Sequence, residues 1–156
     1  MTVLLAVDVG GWGSGEHAGS GLTVLDSQGL HILHDSIEKL DPYHMVQRFE
    51  ELREKYSPDV VIAEGFKPRW GQAFSLEPVY LLGALQGMYN SALKIVYPSE
   101  HMAVVSRERL TDLMKAHKLK VRQGHSRMSL SLCMYYSAFK LQEPDAISYL
   151  LGDRDV

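Results

Sequence analysis

The stretch that most limits what this chain can fold into is Val3-Leu4-Leu5-Ala6-Val7-Asp8-Val9-Gly10. It is a nearly continuous apolar run that ends in one carboxylate and then in glycines. Bounded in that way, it reads as a strand covered on both faces. A charged side chain is almost never fully buried unless it is paired or binds a metal, so Asp8 at the end of a central strand requires a partner, and a divalent cation is the expectation. Two more acids occupy comparable places: Glu64 after Asp59-Val60-Val61-Ile62-Ala63, and Asp145 within Glu143-Pro144-Asp145-Ala146-Ile147.

The length, 156 residues, suits one compact domain with a real core, here expected over residues 1–156. The single cysteine, Cys133, excludes an intrachain disulfide and a cysteine zinc cluster and suits a reducing compartment. No apolar run approaches the ~18 residues of a membrane span. The chain enters a strand at once, without the basic start of a signal peptide, and a cytoplasmic protein is expected. The net charge of −3 argues weakly against a nucleic-acid partner, but its distribution argues the other way. Between Ala103 and Arg127 stand seven Lys or Arg (107, 109, 115, 118, 120, 122 and 127) and two acids, 108 and 112. Such asymmetry marks either a polyanion-binding face or a solvated helix and loop.

A glycine-rich loop follows the first strand, with Gly10, Gly11, Gly13, Gly15 and Gly19, and carries Trp12 and His17. It matches neither of the common phosphate-loop patterns and reads as a mobile loop facing substrate. Residues 22–25 and 30–34 read as two further strands across the turn Asp26-Ser27-Gln28-Gly29, completing an antiparallel meander. His31 and His34 are taken as structural or exposed. Asp41-Pro42 opens a helix that Ser57-Pro58 closes. The buried strand after it, ending at Glu64, is reached by a right-handed crossover and so lies parallel to the first, bringing Glu64 near Asp8. Gly65 to Gln72 mixes aromatic and basic residues, a combination suited to exposed bases and phosphates. A long apolar helix runs to about Asn90; its Gly83 and Gly87 share a face that either packs in the core or receives a dimer mate. Lys94–Tyr97 is the fifth strand. Helices are expected from Ser106, from Ser126 to about Gln142, and from Pro144, with a basic loop over 118–124.

The order β-β-β-α-β-α-β-α-α, with acids ending strands one and four and on the last helix, resembles the ribonuclease H-like fold, a five-stranded mixed sheet flanked by helices. Within it, Leu5-Ala6-Val7-Asp8-Val9-Gly10, Val61-Ile62-Ala63-Glu64 and Asp145-Ala146-Ile147 resemble RuvC-type Holliday junction resolvases, most of all phage-encoded members. The resemblance spans essentially the whole chain. It implies metal-dependent nicking of branched DNA that leaves a 5′-phosphate and a 3′-hydroxyl, with Mg²⁺, or Mn²⁺ as its substitute, in a two-metal site. Asp8 would bridge the ions, and Glu64 and Asp145 would hold one each. The family pattern has a further acid three residues before the last; here that position is Gln142, with Glu143 adjacent as a candidate ligand. Phe66, Lys67, Arg69 and Trp70 would meet the junction centre, and Lys115, Lys118, Lys120 and Arg122 its phosphates. Two equivalent strands to cut imply a two-fold homodimer. The rival readings are a related nuclease acting on flaps, RNA or duplex ends, a non-catalytic junction-binding relative, and an ATP-binding half of the actin or sugar-kinase kind. All of this requires Asp8, Glu64 and Asp145 to meet in one pocket.

Overall fold

The computed structural model describes residues 1–13, 19–66, 76–119 and 125–153. Five strands form one mixed sheet: β1 (Val3–Asp8), β2 (Ser20–Asp26), β3 (His31–Glu38), β4 (Val60–Glu64) and β5 (Leu93–Val96), in the order β3-β2-β1-β4-β5. β1–β3 are an antiparallel meander, and β4 and β5 add in parallel beside β1. The meander and the parallel placement of β4 agree with the sequence reading. The outer strand β3 is longer than its apolar residues suggest, because the ladder continues through half-buried polar residues at its end.

Side chains alternate across a strand, and β1 divides the core accordingly. Val3, Leu5 and Val7 pack with Met45, Phe49 and Leu52 of α1 (Pro42–Tyr56) and with Leu81 and Leu85 of α2 (Glu77–Tyr89). Leu4 and Ala6 pack on the other face with α4 (Arg107–Ala116), α5 (His125–Tyr135) and α6 (Pro144–Leu151). A short α3 (Pro98–His101) follows β5, its start fixed by the Glu100 carboxylate accepting from Tyr97 N–H at 2.7 Å. The expected single helix to Gln142 is instead broken: α5 ends at Tyr135, and a π-helical turn covers Tyr136–Lys140.

One expectation lies largely outside the described residues and another needs correction. The glycine loop is fastened where it is described, since the backbone N–H groups of Trp12 and Gly13 donate to Glu77 Oε2 at 2.9 and 3.2 Å, and Gly19 N–H donates to Gly11 O. The Glu77 carboxylate thus holds these two amides; residues 14–18, which make up most of the loop expected to be mobile and to face substrate, lie outside the described residues. Gly83 and Gly87 do not receive a core helix, because a Cβ built on either meets nothing within 4 Å.

Candidate active site

Asp8 and Glu64 come together by register. Val7 pairs with Ala63 in the parallel β1–β4 ladder, so the next residue of each strand is one of the two acids. Both share the parity of the buried Ala6 and Ile62 and therefore project from the same face of the sheet, toward α5. Adjacent strands lie about 4.8 Å apart, so the two carboxylates stand side by side at the carboxyl ends of the central strands. That edge is where open α/β sheets bind ligands. Asp8 is 5 % exposed.

Glu64 is held by a residue that sequence reasoning missed. His101, at the end of α3 and fully buried, meets Glu64 Oε2 through Nε2 and Ser131 Oγ of α5 through Nδ1, both at 2.7 Å. A neutral ring that donates from Nε2 to the carboxylate accepts at Nδ1 from the Ser131 hydroxyl. The chain Ser131–His101–Glu64 thus fixes the carboxylate and occupies one of its oxygens. Oε1 has no partner among the described residues. Hard oxygen donors on neighbouring strands, one almost buried, suit Mg²⁺ or Mn²⁺.

Asp145 does not join them. Its Oδ2 accepts from Gly29 N–H at 2.8 Å, in the β2–β3 turn. That turn lies at the opposite end of the sheet, because Asp26 pairs with Val3 while Gly21 pairs with Asp8. At about 3.3 Å per residue, β1 alone separates the two ends by about 16 Å, whereas two ligands of one Mg²⁺ must each come within about 2.1 Å of it. Asp145 therefore shares no ion with Asp8. Glu143, whose N–H donates to Ser137 O just before α6, goes with it. The helix that does cross the sheet from the Asp8 end is α5, since Ser131 reaches His101 there while Ser137 lies near Glu143 at the far end. Its first turn carries no acid. Among the described residues no three His, Cys, Asp or Glu side chains are grouped to hold a metal.

The expected DNA contacts also divide. Phe66 stands two residues after Glu64 at the site end, half buried. Lys115 and Lys118 flank the exit of α4, where the His117 ring packs edge-on against His31, 6.4 Å away, at the start of β3. They lie at the far end of the sheet rather than beside Asp8. Lys67, Arg69, Trp70, Lys120, Arg122 and His17 lie outside the described residues. Arg107 and Arg127, which the sequence reading counted within the basic stretch expected to supply affinity for DNA, stand at the amino ends of α4 and α5, and Arg107 lines a cavity together with Ser131.

A meander with two parallel strands added beside β1, helices on both faces and paired acids at the carboxyl ends defines a ribonuclease H-like fold. Solved structures that share it include RuvC and a mitochondrial Holliday junction resolvase. The chain superposes on Thermus thermophilus RuvC in complex with Holliday junction substrate, with a TM-score of 0.69 and 15 % identity, covering 92 % of this chain and 97 % of that one. A second structure of Thermus thermophilus RuvC gives a TM-score of 0.68 and 16 % identity over 90 % of this chain and 96 % of that one. The yeast mitochondrial Holliday junction resolvase Ydc2 gives a TM-score of 0.57 and 16 % identity over 96 % and 82 %. At these identities the likeness is one of fold. No family model and no curated protein sequence matches the chain.

Proposed function

We propose that this protein is a metal-dependent endonuclease that nicks branched DNA at four-way junctions. The observation that carries the reading is the pair Asp8 and Glu64, side by side at the carboxyl ends of β1 and β4, in a fold shared over most of its length with a RuvC bound to a Holliday junction. A phosphodiester repels an incoming hydroxide, and a divalent cation would neutralise that charge and activate the attacking water. Asp8 and Glu64 Oε1 would hold the ion, with His101 keeping Glu64 turned toward it. Asp145 has no part in this, so the two-ion arrangement implied by the sequence resemblance loses one of its three holders.

A homodimer suits a substrate with two equivalent strands to cut. The exposed face of α2 supports it: Leu76, Val79, Tyr80 and Met88 are exposed around the open Gly83 and Gly87, an apolar strip of the kind that marks an interaction surface.

The second reading, junction binding without cleavage, is favoured by one observation: the first turn of α5 is without acid. One assay separates the two. A labelled four-way junction and a linear duplex are incubated with the protein, with and without Mg²⁺ or Mn²⁺. The expected outcome is metal-dependent nicking of the junction, lost in Asp8→Asn and Glu64→Gln while junction binding persists. Undiminished Mg²⁺-dependent cutting by Asp8→Asn would refute the assignment, and binding with no nicking in either metal would establish the second reading.

A further inference from the structure

Arg127 is a largely buried side chain whose charge no described carboxylate neutralises. It is 6 % exposed, its Nε has no hydrogen-bond partner, and it makes no ion pair among the described residues. Burial lowers its pKa, and the nearby positive charge of Arg107 lowers it further, with no described carboxylate acting in the opposite sense. An unpaired buried charge is among the costliest arrangements in a protein. Such a group is kept where it meets an anion in the working complex.

The surroundings indicate which anion. Arg107 is the first residue of α4, and Arg127 is in the first turn of α5. Two helix amino ends, where backbone N–H groups and the helix dipole favour negative charge, therefore meet at one corner with a guanidinium each. Beside Arg107 opens a cavity of about 220 Å³, lined by Met102, Val105, Arg107, Leu110 and, from α5, Met128 and Ser131. Arg127 stands one helical turn before Ser131 and so shares its side of α5. Ser131 also holds His101, and His101 holds Glu64, so the cavity is one hydroxyl and one imidazole away from the candidate metal ligand. The acid in the first turn of α4, Glu108, is exposed and forms an ion pair with neither arginine.

We propose that Arg107 and Arg127 form a subsite for a backbone phosphate of the bound DNA, next to the phosphodiester presented to Asp8 and Glu64. The subsite rests on the nuclease reading and extends it. Guanidinium groups bind phosphate through paired, charge-assisted hydrogen bonds. The basic residues that position DNA beside the acids are then these two, in place of Lys115 and Lys118.

The test is junction affinity as a function of salt, by fluorescence anisotropy of a labelled four-way junction in EDTA so that no cutting intervenes. Each phosphate contact contributes about 0.9 to the slope of log Kd against log salt. Arg107→Gln and Arg127→Gln are each expected to reduce the slope by about 1, and the double variant by about 2. A junction carrying one neutral methylphosphonate at the contacted phosphate should lower wild-type affinity and leave the double variant unchanged. In the absence of DNA, Arg127→Gln should melt at or above the wild-type temperature, since it removes an uncompensated charge. An unchanged slope in the double variant overturns the subsite, and a marked fall in Tm with that unchanged slope assigns Arg127 a structural role. The exposed Arg107 reads the slope by itself should Arg127→Gln not fold. A wild-type protein with no salt-sensitive junction binding removes the nuclease reading and the subsite together, an outcome visible before any variant is made.

Discussion

Three acids that look alike in the sequence do different work. Asp8 and Glu64 end parallel neighbours with matched parity, and that geometry follows from strand patterning alone. Asp145 sits in the first turn of α6, a place that suits a carboxylate for electrostatic reasons, and there it anchors the β2–β3 turn through Gly29. Asp145→Asn is therefore expected to leave junction nicking at the wild-type rate while lowering stability by about 1 kcal/mol, since the amide oxygen still accepts from Gly29 N–H but without the charge; cleavage assay and urea denaturation read the two effects separately. A fall in nicking to the level of Asp8→Asn would return Asp145 to the site. His101 has the opposite profile, absent from the sequence reading and central in the structure. His101→Ala leaves Glu64 and the Ser131 hydroxyl each short of a partner, at a cost of about 1–3 kcal/mol, and should weaken Mn²⁺ binding measured by calorimetry. Unchanged stability and unchanged Mn²⁺ affinity would remove His101 from any positioning role. Its partners lie 30 and 37 residues away, a distance that no local pattern reports.

At the scale of elements, the exit of β4 is the most tightly constrained point near the site. A Cβ on Gly65 would lie 2.6 Å from the Tyr97 ring and 2.8 Å from Ile95 Cγ2, and Gly65 N–H donates to Val96 O. Gly65→Ala requires the Tyr97 ring and the Ile95 side chain beside Glu64 to shift. It is expected to lower stability by about 1–3 kcal/mol, the usual cost of overpacking, and to reduce nicking beyond what the stability loss explains, because Glu64 is the preceding residue. Wild-type stability would show that Tyr97 yields. Helix α1 was legible to the residue: Asp41 caps it by accepting from His44 N–H at 2.9 Å, and Ser57 ends it in a left-handed conformation. The break after Tyr135 was not legible, since the residues of the π-helical turn, Tyr136–Lys140, continue the helical spacing and only packing against α6 distinguishes them.

For the whole molecule, the unpartnered face of α2 carries the expectation of a dimer. A double variant, Tyr80→Glu with Gly83→Arg, places charge in the middle of that strip while leaving Leu81 and Leu85 in the core. It should sediment as a monomer and bind one junction with markedly lower affinity, whereas the wild type sediments as a dimer; a monomeric wild type would defeat the expectation. Among the described residues no helix is long and apolar enough to cross a membrane. The positive charge of 103–127, read along the chain as one basic stretch, is split in space, because α4 runs from the Asp8 end of the sheet, at Arg107, to the far end, at Lys115.

What the sequence determined by itself is the sheet and its principal pair of acids. Apolar runs and alternation specify which strands are buried and which way their side chains point, and a crossover of one hand specifies that β4 lies beside β1. What only the tertiary structure decided is which charged groups share an end of that sheet. Helices pack across it at angles and positions set by side-chain fit over the whole core, so the order of Asp145, Arg107, Arg127 and His101 along the chain carries no record of their distance from Asp8.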